Sequence, residues 1–98
     1  MSNLEIKALI IDAISEIQEM SGRSIPEMND DTRPINGIEG FDSLSGLEAK
    51  HVISERLNHE FDEAFNPFVS EDGKRALRIR EVAERILKAM TKDSSKGR

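Results

Sequence analysis

From Ser21 to Gly40 the chain shows no helical repeat and is broken by Pro26, Pro34, Gly37 and Gly40, yet apolar residues on both sides recur at helical spacing. A connection of about 20 residues is far longer than the usual median of about 4–6. In 98 residues, which support one modest core and no deep enclosed site, such a stretch must either work or pack. Ile25, Met28, Ile35 and Ile38 are the side chains expected to pin it to the core.

Ser2-Asn3-Leu4-Glu5 has the form of a capping box that opens a first helix. Ile6, Ile10, Ala13, Ile14, Ile17 and Met20 then make one apolar face, with Gly22 as the stop. A second helix is expected from about residue 43 to about residue 61, and a last one from about 74 to 90, carrying Leu77, Ile79, Val82, Ala83, Ile86 and Met90. Between them Asp62-Glu63-Ala64-Phe65 offers one further turn, punctuated by Pro67 and Gly73. No alternating strand pattern and no internal repeat occurs. The fold class is all-α: a small bundle of three main helices plus a short helix or turn over residues 1–90. Residues 91–98 have the composition of a disordered tail.

Composition removes several function classes. Without cysteine there is no thiolate nucleophile, disulfide or Cys-based zinc site. No apolar run approaches the roughly 20 residues of a membrane span, and no leader pattern opens the chain, so a cytoplasmic protein without stable membrane insertion is expected. Four phenylalanines and no Trp or Tyr make a poor stacking platform for nucleic acid, which is not expected as a partner. Histidine occurs only at 51 and 59, no Gly-rich loop follows a strand, and no catalytic set stands out, so the chain is not expected to be an enzyme. The net charge of −5 is unevenly spread: residues 1–73 hold 16 Asp/Glu against 5 Lys/Arg, and residues 74–98 hold 3 against 9. Such a field steers basic partners towards the acidic part.

That part contains Gly40-Phe41-Asp42-Ser43-Leu44, a serine at the point where the long loop turns into the second helix. The positive end of a helix dipole favours a phosphate attached there. The plainer role for Ser43 is a helix N-cap, and Asp42 is an equally good cap; both roles can coexist. At about 100° per residue, Leu47, Ile53, Leu57 and Phe61 form the expected buried arc of this helix. Leu44, Glu48, His51, Val52, Glu55 and His59 fall on the other side. Lys50 lies within the buried arc, where it either snorkels or lines the mouth of a pocket. His51, Glu55 and His59 follow one another about a turn apart, but no metal is expected there, since a fourth ligand is missing. A calcium loop opening after Phe68 would put Val69 and Arg80 where carboxylates are required, so calcium is excluded.

Asp42-Ser43-Leu44 followed by Leu47-Glu48, together with Arg78-Ile79-Arg80-Glu81-Val82-Ala83-Glu84-Arg85-Ile86, resembles the acyl carrier protein family. Glu60-Phe61-Asp62 resembles the end of that family's second helix, displaced by about one turn. The resemblance implies a four-helix bundle of the acyl-carrier type. It implies a 4'-phosphopantetheine arm attached to Ser43 by a phosphopantetheinyl transferase, with Asp42 helping to position the metal in that complex. It further implies acyl groups held as thioesters and passed between acyl-loading and acyl-using enzymes in fatty acid or other lipid biosynthesis, or in a polyketide-like pathway. Leu44, Glu48, His51, Val52 and Glu55 would form the docking face, and Ile53, Leu57, Phe61, Phe65 and Phe68 would line an acyl groove. Lys50, His51 and the loop before the last helix depart from the family pattern and point to a specialised carrier; a monomer is expected. A peptidyl carrier loaded with an amino acid and an unmodified helical interaction module are the alternatives.

Overall fold

The computed structural model describes residues 2–96, with side chains to Thr91. Its helices are α1 (Asn3–Met20), a single turn α2 (Pro34–Gly37), α3 (Ser43–Leu57) and α4 (Ile79–Lys96). The all-α class therefore holds, and the three main helices occur in the expected order, the second and third with shifted bounds. No helix among the described residues is long and apolar enough to cross a membrane.

The start of α1 follows from its first residues. Ser2 Oγ accepts from the Glu5 N–H (3.2 Å) while Glu5 Oε1 accepts from the Ser2 N–H (2.8 Å). At the other end the Arg23 N–H reaches back to the Gln18 carbonyl (2.9 Å) and the Gly22 N–H to that of Glu19 (3.1 Å), a Schellman closure. Between these caps Ile6, Ile10, Ala13 and Ile14 are fully buried and Ile17 nearly so. Met20, placed on the same face by its spacing, is 77% exposed because α1 ends there and nothing lies beyond it. α1 packs against both α3 and α4, and so forms the spine of the molecule.

α3 ends four residues earlier than its apolar pattern suggests. Asn58 adopts the left-handed conformation (φ 51°), with its N–H bonded to the Glu55 carbonyl (3.2 Å) and that of His59 to Ser54 (3.1 Å). Asparagine tolerates this conformation better than other residues with a Cβ, so it can stop a helix as glycine does. The buried side of α3 is Ser45, Gly46, Ala49 and Ile53. Leu47, expected inside, is at the surface with 36% exposure, and Leu57 and Phe61 are half-buried. The small residues at 45, 46 and 49 let neighbouring chain approach the helix, which a leucine would prevent.

The last helix begins at Ile79 rather than near residue 74. Phe68 to Leu77 instead forms a narrow return: Leu77 N–H to the Phe68 carbonyl (3.0 Å) and Ser70 N–H to that of Arg75 (2.8 Å), around a Val69–Ala76 bridge. The expected turn at 62–65 is present, closed by the Phe65 N–H on the Asp62 carbonyl (3.0 Å). It is not a helix; the short fourth element, α2, lies in the first loop. α4 continues to Lys96, across the boundary at 91 where a tail was expected, and residues 97 and 98 lie outside the described residues.

The first loop packs through Pro34, Ile35, Ile38 and Phe41, all buried; Met28 is half-buried, whereas Ile25 is 50% exposed and pins nothing. Its Thr32 and Asp30 carbonyls accept the Ile79 and Arg80 N–H groups (2.9 and 3.1 Å), and so satisfy donors at the start of α4. Asp30 pairs with Lys7 (2.7 Å), and Asp31 with Arg78 (3.6 Å) and Arg80. The other end of this loop delivers the chain to Ser43.

Candidate functional site

Three structures fix the approach to Ser43. The first is Gln18, a fully buried amide on α1. Its Nε2 donates to the Ser24 and Glu39 carbonyls, both at 3.0 Å, and its Oε1 accepts from Arg23 Nε (3.2 Å). One side chain thereby ties the two ends of the loop together. The second is Gly40, with φ +76°, over which the Arg23 side chain lies so closely that a Cβ would stand 2.3 Å from Cδ. The backbone conformation favours glycine, and a Cβ there would also push the Arg23 side chain aside. The third is Phe41, 2% exposed, whose ring meets Phe68 edge-on at 5.5 Å.

After Phe41 the chain emerges, and Asp42 caps α3. Its Oδ1 accepts from the Ser45 N–H (2.9 Å) and the Ser45 hydroxyl (3.1 Å). These two bonds, the backbone one first, hold the Asp42 carboxyl below the usual carboxylate range. Ser43 is therefore the first residue inside the helix and not its cap. It is exposed, and among the described residues its hydroxyl makes no hydrogen bond. Its carbonyl accepts from Asn66 Nδ2 (3.2 Å), while Asn66 Oδ1 accepts the Phe68 N–H (3.0 Å). Glycine at 46 suits this close approach of the loop to α3: a Cβ there would stand 3.1 Å from Asn66 Oδ1 and 3.3 Å from the Phe68 ring, so that the loop would have to give by a few tenths of an ångström.

The depressed Asp42 carboxyl gives a pH prediction. A group whose folded-state pKa lies below its unfolded one stabilises fully above the unfolded value, and that stabilisation is lost as pH falls through the folded value. The thermal midpoint is expected to drop below about pH 4. Glu5, Asp72 and Glu81 are lowered in the same direction by bonds to Ser2, Ser70 and Arg78 and share in that drop. Asp42→Asn keeps a cap that does not titrate. Circular dichroism melts at pH 7 and pH 3 should show a smaller drop for this variant, and an unchanged one would remove Asp42 from the acid limb.

The exposed side of α3 carries Leu44 (65% exposed), Glu48, His51 and Glu55, with Val52 half-buried. His51 Nε2 lies 3.7 Å from Glu55 Oε2. His59 does not continue that face. It follows the left-handed Asn58, its carbonyl accepts from Ser54 Oγ (2.6 Å), and its ring packs on Phe61 at 4.7 Å. Among the described residues no three His, Asp or Glu side chains gather as a metal site. A shallow groove of about 620 Å³ joins Leu47, Glu48, His51 and Val52 to Ile17, Met20 and Ser21 of α1. The α1 contribution was not visible in the α3 pattern; the signal available was Met20, an apolar residue at the last position of its helix.

The proposed groove-lining residues separate. Ile53 and Phe68 are fully buried core, while Leu57, Phe61 and Phe65 are half-buried. Phe61 and Phe65 stack at 5.4 Å, and the Arg85 guanidinium lies 5.0 Å from the centre of the Phe65 ring. Lys50 neither snorkels nor lines a pocket: its Nζ donates to the Asp62 and Glu63 carbonyls (3.2 and 3.1 Å) and fastens the turn at 62–65 to α3.

Comparison with protein-family models, with curated proteins and with solved structures finds no match to this chain.

Proposed function

We propose that the chain is a carrier protein modified on Ser43 with 4'-phosphopantetheine, of the acyl-carrier type. The observation that carries the reading is the division of labour at the start of α3: Asp42 performs the capping, which leaves an exposed Ser43 hydroxyl with no hydrogen bond to lose among the described residues. The residues suit the group. Ser43 Oγ is accessible, its helix is fixed from behind by Asn66 and from the loop side by Gln18, and the positive end of α3 lies beside a phosphodiester attached there. When bound, the arm supplies a thiol that holds acyl groups as thioesters. The chain itself would present them, with Leu44 as an apolar anchor and Glu48 and Glu55 meeting basic surfaces of enzymes. Asp42, exposed beside Ser43, is the residue to position a metal during attachment.

The test is the intact mass after incubation with coenzyme A, magnesium and a broad-specificity phosphopantetheinyl transferase. The native chain is expected to gain one phosphopantetheine group and Ser43→Ala none. No gain with a transferase shown to be active on a control carrier would return the chain to the class of unmodified helical interaction modules.

A further inference from the structure

Arg33 of the first loop and Lys74 and Arg75 of the 68–77 return line one open hollow of about 520 Å³, together with Ile35, Asn36 and Gly37. No carboxylate lines it, in a protein where Asp and Glu outnumber Lys and Arg by 19 to 14. Ligand pockets run from about 300 to 1,000 Å³, so a small molecule fits. The neighbouring acids are turned to other work. Glu81 accepts the Arg78 N–H (2.9 Å) and Arg75 Nη1 (3.4 Å). Asp72 Oδ1 accepts the Ser70 hydroxyl (2.6 Å) and the Lys74 N–H (3.0 Å), and Asp31 faces Arg78 and Arg80. Among the described residues the Arg33 guanidinium and the Lys74 ammonium make no hydrogen bond or ion pair. All three cationic side chains are exposed, so their donors can reach a ligand.

Like charges repel, and here the backbone keeps them together. Beside Arg33, the Thr32 carbonyl accepts the Ile79 N–H (2.9 Å) and Pro34 is buried. Lys74 and Arg75 sit in a return closed by the Ser70 N–H on the Arg75 carbonyl (2.8 Å) and by the Arg75 N–H on Ser70 Oγ (3.0 Å). We propose that the hollow is a binding site for a phosphate dianion, free or carried as a monoester on a small organic molecule. Three positive charges, one of them shared with Glu81, are matched by two negative ones. A phosphate monoester carries about −1.5 to −2 at pH 7, and its three oxygens can serve two guanidinium groups and an ammonium. A carboxylate or a phosphodiester brings a single charge and leaves a cation unmatched. Nucleic acid is disfavoured on the same ground, and its length would carry it onto the acidic part of the chain. The site does not involve Ser43 and stands whether or not that residue carries an arm.

The test is an NMR titration of the unmodified full chain at pH 7 and constant ionic strength, with inorganic phosphate and with phenyl phosphate. Backbone resonances of Arg33, Asn36, Gly37, Lys74 and Arg75 are expected to shift together and to saturate, while those of α3 stay in place. Dimethyl phosphate, a diester with one charge, should bind at least roughly fivefold more weakly than phenyl phosphate. Arg33→Gln and Lys74→Gln should each weaken phenyl phosphate roughly fivefold, the effect of one unit charge about 4 Å away in water. Both variants should keep the native thermal midpoint, since neither charged group has a bond to lose among the described residues. Tighter binding of phenyl phosphate than of inorganic phosphate assigns the site to monoesters, and equal or weaker binding assigns it to the free ion. Shifts that do not saturate, that dimethyl phosphate reproduces at the same concentrations, or that both variants leave unchanged would overturn the proposal.

Discussion

Phe68→Ala is expected to lower the unfolding free energy by about 3–5 kcal/mol, the usual cost of emptying a buried phenylalanine position. Phe68 is fully buried and among the largest such side chains in the protein. Its ring supports Phe41 at 5.5 Å and lies against Gly46, and its backbone begins the return that ends at Leu77. No single helix can close over the space it would leave, since loop, return and α3 all meet there. Small domains have only about 5–15 kcal/mol in total, so the variant should be close to unfolding at room temperature. Urea denaturation measures this directly. An unfolding free energy within about 1 kcal/mol of the native one would mean that the ring is not the keystone. Phe68→Leu, which keeps most of the apolar volume, should lose far less.

Gln18→Leu should cost about 2 kcal/mol, although leucine is close in size and more apolar. The loss comes from what the amide leaves behind: the Ser24 and Glu39 carbonyls lose their donor and Arg23 Nε its acceptor. Unsatisfied groups of this kind cost about 1–3 kcal/mol each where water cannot reach them, and the gain in apolar burial offsets part of that. The effect should also be local. With the two ends of the first loop released, proteolysis between residues 21 and 41 should speed up more than global unfolding explains. If cleavage rises only in proportion to the loss of stability, the amide contributes to the core but does not hold the loop.

The first helix could be read from residues 2 to 22 because every signal there is local: a capping box, an isoleucine repeat and a glycine. The start of α3 was equally legible, and Asp42 was recognised as a cap. Its end was not, since Asn58 does the work of a glycine and Leu57 and Phe61 keep helical phase beyond the stop. Leu47 was misplaced for a different reason. Apolarity suggested that it faces inward, but closeness of packing decides the buried side of α3, and that favours Ser45, Gly46 and Ala49. The start of α4 failed because residues 74–77 are held by Phe68 and Ser70, partners that no local pattern reveals. Gln18 and Arg85 gave no signal at all: the value of each lies in what distant segments bring to it.

The basic residues of the C-terminal quarter, which suggest a positive region opposite an acidic one, are partly spent within the molecule. Arg78 and Arg80 face Asp31, and Arg75 faces Glu81 at 3.4 Å. The protein thus carries its own counterions, and they are placed at the junction of the first loop with α4 rather than beside Ser43. An approaching molecule meets Glu48 and Glu55 on the exposed face of α3, while the cations of the same helix, Lys50 and Arg56, are turned aside to the Asp62 and Glu63 carbonyls and to Asp12 and Glu16 of α1, as mortar rather than as surface.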